Sequence, residues 1–293
     1  MRLMVTGGTG FLGGAMVRQA VAAGHDVAVL TRSDDAALPG RAARIRGSLA
    51  NPPWDEIARF GPEVVVHAAW VTTPGSYMES PENEDWLRWS VGFASGLSRV
   101  GARRLLALGT CIEYAITGGL LKEDETPVSP QSAYARAKVE LHRRLLQDLQ
   151  GSGVGLAWAR IFYPYGPHEH PARLASSLIA RIRAGEVLGL RTPRSTKDYI
   201  HEDDVGSALM TLAESGAEGT FNVGTGVGVT VEELARTLAG LAGRPDLVAV
   251  DAGARPDPLD YVVADASRIR GMGWTPRVSL VDGLRRLLES RPE

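Results

Sequence analysis

The first thirteen residues limit the possible folds more than any other stretch. Arg2-Leu3-Met4-Val5-Thr6 is a short apolar run that passes directly into Gly7-Gly8-Thr9-Gly10-Phe11-Leu12-Gly13, and a helix-forming segment at about 11–23 follows. Glycines at 7, 10 and 13 permit a tight turn, let the backbone approach a phosphate and let the helix pack closely on the strand. The free N–H groups of the helix's first turn, with the positive end of its dipole, then face the anion. Gly7, Gly10, Phe11, Leu12 and Gly13 are therefore the candidate cradle for a dinucleotide pyrophosphate. The spacing is G-x-x-G-x-x-G, one residue longer in its first interval than the G-x-G-x-x-G form. Its position at the chain's first strand is what distinguishes it from an ordinary glycine-rich loop.

Composition narrows the classes of function. The chain has 293 residues, 44% hydrophobic and 23% charged, enough for a large core and about two domains. A formal charge of -2 gives no basic footprint, so no nucleic-acid partner is expected. Cys111 is the only cysteine, which excludes an intrachain disulfide and a cysteine-based metal site, and no metal is expected. The first strand begins at residue 2 and no apolar run reaches membrane-spanning length. The expectation is a cytoplasmic protein with no membrane contact.

Apolar strand candidates at 3–6, 26–30, 64–67, 104–108 and 154–160 alternate with helix candidates at 11–23, 54–60, 83–100 and 131–149. That alternation predicts an α/β fold with a doubly wound, Rossmann-type parallel sheet covered on both faces. Prolines at 164, 167, 171 and 193 then break the chain into shorter pieces, as a smaller C-terminal substrate-binding domain requires. The expected division is 1–164 with 196–225 for the dinucleotide-binding domain, and 165–195 with 226–293 for the smaller one.

The second strand ends in Thr31-Arg32-Ser33. A carboxylate here would accept hydrogen bonds from the ribose 2′-hydroxyl of NAD, whereas the 2′-phosphate of NADP wants a cation. Arg32 offers a planar fork of donors and Ser33 a hydroxyl, which favours NADP. Asp34 and Asp35 follow directly and keep NAD open.

Tyr134-Ala135-Arg136-Ala137-Lys138 opens an amphipathic helix. Residues four apart on a helix point the same way, so the Lys138 ammonium should stabilise the Tyr134 phenolate and lower a pKa that is ordinarily about 10. That makes Tyr134 a candidate general acid or base. The run Arg104–Thr110 is a strand whose carboxyl end, where ligands bind in such sheets, delivers the Thr110 hydroxyl.

Together these features resemble the nucleotide-sugar branch of the extended short-chain dehydrogenase/reductase family, the NAD-dependent epimerase/dehydratase family. The resemblance covers nearly the whole chain. It includes the TGGTGFLG turn, His67-Ala68-Ala69, Thr110 four residues before Tyr114, and Tyr134 with Lys138. Arg160-Ile161-Phe162-Tyr163-Pro164-Tyr165-Gly166-Pro167 looks like the family's R-x-F-N-x-Y-G-P, and 197–205 is similar to R-D-[FY]-I-H-V-D-D-V. The segments 220–226, Arg255-Pro256, Ala264-Asp265 and 273–276 also match. The resemblance implies Tyr134 as acid/base, Lys138 on the nicotinamide ribose, Thr110 on the reacting oxygen, and Ala68 and Ala69 against the cofactor. It further implies a nucleoside-diphosphate sugar held by the smaller domain, and a homodimer built on the helices at 83–100 and 131–149.

Departures from the pattern narrow the activity. The family's dehydratases carry Asp-Glu directly after the catalytic Thr; here those positions are Cys111 and Ile112, so dehydration is not expected. Glu113, one position later on a strand, should face the other way and is read as structural or substrate-contacting. The run around Cys111 and Tyr165-Gly166-Pro167-His168 also resembles GDP-fucose synthases. Cys111 stands three residues before Tyr114 rather than two, so a structural thiol is preferred to a substrate contact, while His168 is a candidate proton donor. Tyr163 replaces the family's Asn, and Lys197 its Arg; Lys197 and Arg255 are the candidate diphosphate-binding cations. The leading reading is an NADP(H)-dependent reductase of a nucleotide-linked 4-keto, 6-deoxy sugar. The alternative is an NAD-dependent nucleotide-sugar 4-epimerase. A non-catalytic dinucleotide-binding regulator is the third reading, against which the intact Thr110, Tyr134 and Lys138 speak.

Overall fold

The computed structural model describes residues 1–250 and 254–290. Its first half alternates strands and helices except where β3 follows β2 directly: β1 (Arg2–Thr6), α1 (Phe11–Ala22), β2 (Asp26–Thr31), β3 (Ala43–Arg46), α2 (Trp54–Phe60) and β4 (Val64–His67). α3 (Glu82–Ala94), β5 (Arg104–Thr110), α4 (Ala133–Asp148) and β6 (Gly155–Ile161) complete it. The strands form one parallel sheet in the order β3, β2, β1, β4, β5, β6, with the later strand Gly219–Val223 added beyond β6. The chain therefore builds outward from β1 in one direction, then returns to place β4 on its other side. The crevice at the carboxyl ends of β1 and β4 is the switch point where such sheets bind ligands.

Side-chain alternation along the strands produces two cores. Leu3 and Val5 of β1, Val27 and Val29 of β2, and Leu106 and Leu108 of β5 pack with Met16 and Val17 of α1. Met4, Ala28, Leu30, Leu105 and Ala107 point the opposite way and meet Phe93, Leu97 and Leu141. Burial on both faces is why these strands read as continuous apolar runs rather than as half-polar alternation. The sheet class and the double winding are those expected from the sequence.

After β6 the chain alternates between the sheet and a second body. β7 (Tyr163–Tyr165) pairs with the strand Tyr199–His201, and α5 (Leu174–Arg183) packs with the helices Val231–Leu241 and Leu280–Ser290. These enclose a third apolar core of their own that includes Leu178, Ile179, Leu234, Leu238 and Leu284. α6 (Glu202–Ser215) returns to the sheet, where Val205, Ala208 and Leu212 join the α1 side. Among the described residues no helix is long and apolar enough to cross a membrane.

Candidate active site

A cleft of about 970 Å³ runs from the glycine turn, across the carboxyl ends of β1, β4 and β5, to the second body. Gly7, Gly10, Phe11, Leu12, Gly13, Ala68 and Ala69 line its first part. Gly7 has φ +71°, which favours glycine, and a Cβ at Gly13 would stand 2.1 Å from the Gly7 carbonyl oxygen. Gly10 caps α1 with no side-chain hydrogen bond, so the first-turn N–H groups are left to the cleft.

A buried polar chain fixes the opposite wall. Ser90 donates its hydroxyl proton to the Trp86 carbonyl at 2.6 Å, so the 2.9 Å contact with His67 Nε2 requires the imidazole to donate there. Nδ1 is then the acceptor for the Thr6 hydroxyl at 2.8 Å, and Thr6 Oγ1 in turn accepts the Ala69 N–H at 3.4 Å. Burial, with Lys138 nearby, drives His67 down to about 3, so the ring is neutral and this direction is unambiguous. His67 thus positions the Ala68-Ala69 backbone rather than performing chemistry.

At the other end of the cleft, Arg32 is exposed, lines the wall and forms no ion pair among the described residues. Ser33 is exposed but does not line the cleft; its hydroxyl accepts the Ala36 N–H at 3.1 Å and its carbonyl accepts from Arg44. Asp34 is engaged by Arg46. Asp34, two residues beyond Arg32, is therefore already engaged by a cation from β3.

Thr110, Cys111, Tyr134 and Lys138 meet where β5 and α4 converge. β5 does not continue through Glu113, as strand alternation would have it; Cys111–Glu113 is a single 3-10 turn. Glu113 consequently folds back under the site, fully buried. Its carboxylate accepts from the Thr110 N–H at 2.8 Å, from Trp158 Nε1 at 3.2 Å and from Arg160 Nε at 2.7 Å. It is structural and holds Thr110 in place. Cys111 is buried beside Tyr114 and Phe162, and burial reinforced by Asp198 pushes its thiol up to about 12, so it stays protonated.

Ser132 caps α4 by accepting the Ala135 N–H at 3.1 Å, which sets Tyr134 in the first turn facing the cleft. Lys138 is buried one turn later. Its Nζ donates to the Leu108 carbonyl at 2.9 Å and lies 3.9 Å from the centre of the Trp70 ring, against 5.9 Å from the Tyr134 ring. The electrostatics run opposite to the sequence-based expectation. Burial raises the Tyr134 phenol well above its ordinary value, with Tyr77, Glu113 and Cys111 adding to the effect. Burial also pulls Lys138 down to about 7, which Glu113 opposes. The phenol does not gain a loosened proton from the lysine here, because desolvation outweighs an ammonium held against an indole and a carbonyl.

Tyr163 and His168 line the second-body side. The His168 ring meets Glu202 at 2.7 Å, and the buried Glu202 also accepts from Arg18 at 3.1 Å, tying α1 to the loop after β7. Lys197 and Arg255 do not line the cleft. Lys197 is buried, donating to Asp257 at 3.0 Å and to the Leu259 carbonyl, so its charge is used internally. Arg255 is exposed and donates its N–H to the Arg191 carbonyl at 2.7 Å. On this side Arg173 reaches the cleft instead, directly before α5 and with its guanidinium 5.9 Å from the Phe11 ring; His170 also lines the cleft, its Nδ1 accepting the Ala172 N–H at 3.1 Å. Sequence reasoning missed Arg173; the available signal was a cation placed directly before a helix in the loop that carries His168. Trp70 and Tyr77 also line the cleft and edge onto the Tyr134 ring at 6.4 and 5.0 Å.

Comparison with known proteins agrees with this architecture. The UDP-glucose 4-epimerase of Mycolicibacterium smegmatis is 28% identical over 317 residues, covering 99% of this chain and 98% of that protein. A putative GDP-L-fucose synthase 2 of Oryza sativa subsp. japonica is 30% identical over 311 residues, covering 98% of this chain and 85% of that protein. Among solved structures, the Thermus thermophilus UDP-glucose 4-epimerase complex with NAD superposes with a TM-score of 0.84 at 27% identity, over 99% of this chain and 98% of that one. The profile of the NAD dependent epimerase/dehydratase family matches residues 3–224. With a parallel sheet, a glycine cradle at its switch point and that match over most of its length, the chain belongs to the NAD dependent epimerase/dehydratase family, in the nucleotide-sugar branch of the extended short-chain dehydrogenases/reductases.

Proposed function

We propose that the protein is an NADP(H)-dependent reductase acting on a nucleotide-linked 4-keto sugar. The observation that carries this reading is the pairing at the end of β2: among the described residues Arg32 stands in the cleft without a carboxylate partner, while Arg46 engages Asp34. A 2′-phosphate would meet the Arg32 guanidinium there, and Asp34, one of the two candidate acceptors for a 2′-hydroxyl, is engaged by Arg46. A nicotinamide dinucleotide fits the glycine turn, since Gly7, Gly10 and Gly13 line the cleft and the first-turn N–H groups of α1 have no side-chain cap. When bound, that cofactor supplies the hydride.

The protein's own residues supply the rest. As the carbonyl carbon becomes a secondary alcohol, Tyr134 donates its phenolic proton to the oxygen, and solvent returns a proton to the phenol. Burial keeps Tyr134 protonated, which is the form that donation requires. An oxidative first step would instead need the phenolate. Thr110, held by Glu113, is the hydrogen-bond partner for the reacting oxygen, and the Lys138 ammonium offsets the charge left on Tyr134. Arg173 and His168 are the proposed contacts for the diphosphate of the sugar nucleotide, with the smaller core around α5 as the substrate-binding unit. Cys111 as a protonated thiol and Ile112 supply no carboxylate pair for dehydration.

The second reading is an NAD-dependent nucleotide-sugar 4-epimerase, favoured by the names and the NAD complex of the relatives above. Denaturing the purified protein and identifying any released nucleotide separates the two. Co-purified, tightly held NAD would overturn the reductase. NADPH oxidation that appears only when a 4-keto nucleotide sugar is added supports it.

A further inference from the structure

Trp70 leaves β4 three residues after its last member and is buried at 8% exposure, yet nothing in the chemistry above uses it. We propose that Trp70 is a positioning residue for Lys138: its indole face seats the ammonium and holds it charged beside Tyr134. This rests on the reading of Tyr134 and Lys138 as the working pair.

The geometry is specific. Lys138 Nζ lies 3.9 Å from the indole centre, well inside the range of about 6 Å over which a ring face attracts a cation. The indole is itself locked. Its Nε1–H donates to Asn83 Oδ1 at 2.8 Å, while Asn83 Nδ2 donates to the Tyr77 carbonyl at 2.7 Å and the Ser80 carbonyl at 2.9 Å. Both carbonyls demand the amide N–H groups, so Oδ1 must face the indole and the ring has one orientation. Trp86 backs it at 6.4 Å. A buried asparagine with all three directions used is a costly way to hold a tryptophan that only fills space.

The charged and titratable groups around the ammonium are few. Glu113 bears on it from the turn after β5, His67 from β4 as a neutral ring, and Tyr134 from α4 itself. Among the described residues no carboxylate forms an ion pair with Lys138, so the Leu108 carbonyl and the indole face are its direct contacts. Burial disfavours the ammonium and the indole face favours it. Lysine rather than arginine suits this seat, being a compact charge whose proton the surroundings can shift.

The test uses the whole chain, which contains only three lysines, Lys122, Lys138 and Lys197. Lysine labelled with 13C at the ε carbon therefore gives three resonances that can be titrated by NMR, with Lys138 assigned by elimination through Lys122→Arg and Lys197→Arg. Trp70 is replaced site-specifically by trifluoro- and tetrafluorotryptophan, which keep the shape and the N–H while draining the ring face. The Lys138 midpoint should fall stepwise, by about one pH unit for the tetrafluoro ring, and the alkaline limb of kcat/KM should move with it. Trp70→Phe should give a smaller fall. An identical Lys138 midpoint across the fluorinated series overturns the proposal. The NMR readout needs no substrate, so absence of turnover on any keto sugar would remove the functional reading and leave this result standing.

Discussion

Replacing Lys138 by methionine should stabilise the protein while inactivating it, and the gain should vanish at high pH. A lysine in an unfolded chain titrates near 10.5, and burial brings Lys138 to about 7. Below about pH 7 both states are protonated, and the folded state carries the whole desolvation penalty, about 5 kcal/mol for a difference of that size. Between 7 and 10.5 the folded lysine is neutral while the unfolded one still binds a proton, so this group's contribution rises with pH. Above 10.5 neither state is charged and the contribution is gone. Methionine keeps the length and removes the titration. It also forfeits about 1 kcal/mol for the hydrogen bond to the Leu108 carbonyl, while the attraction to the Trp70 face is already contained in the midpoint. About 4 kcal/mol remains at pH 6, or a rise in Tm of about 8 °C for a chain of this size. Scanning calorimetry at pH 6, 8 and 10 on both proteins, with turnover measured in parallel, checks it. A variant less stable than the parent at pH 6, or a difference that does not change with pH, would refute the reasoning.

Four further outcomes follow from the geometry. Tyr134→Phe should lower kcat by on the order of 10²–10⁴ with cofactor affinity unchanged, measured by NADPH fluorescence and steady-state kinetics; retained turnover would remove Tyr134 as the proton donor. Arg32→Ala should weaken NADPH by about tenfold or more while leaving NADH nearly unaffected, and equal weakening of both would show that Arg32 does not read the 2′-phosphate. Glu113→Gln should cost about 3–5 kcal/mol in a denaturant titration, because it leaves Arg160 buried without its counter-charge, and Glu113→Leu combined with Arg160→Met should recover much of that loss. Gly13→Ala should abolish cofactor binding, since the new methyl collides with the Gly7 carbonyl; tight binding by that variant would mean the turn adapts more than its packing suggests.

Much of the fold is written in local pattern. The runs at 3–6, 26–30 and 64–67 are found as Arg2–Thr6, Asp26–Thr31 and Val64–His67, because burial on both faces leaves an unbroken apolar signature. The two strands that escaped notice lie at the sheet's edges. Ala43–Arg46 alternates small or apolar residues with arginines on an outer strand, and Gly219–Val223 carries the polar Asn222. Asn222 is nonetheless fully buried, because its side chain donates to the Leu121 and Asp265 carbonyls. No local pattern announces an asparagine satisfied by carbonyls from distant loops.

The candidate site divides along the same line. The amino-acid sequence by itself determined the glycine turn, the strand ending in Thr110 and the helical pairing of Tyr134 with Lys138, since each follows from backbone sterics or helical period over a few residues. Only the tertiary structure decided which charges remain available. Lys197 is consumed by Asp257, Asp34 by Arg46 and Glu113 by Arg160, while Arg32 and Arg173 reach the cleft. It also decided that Trp70 lies against Lys138 and that burial governs Tyr134. Desolvation and ion pairing depend on neighbours brought together from far along the chain, and no local spacing encodes them.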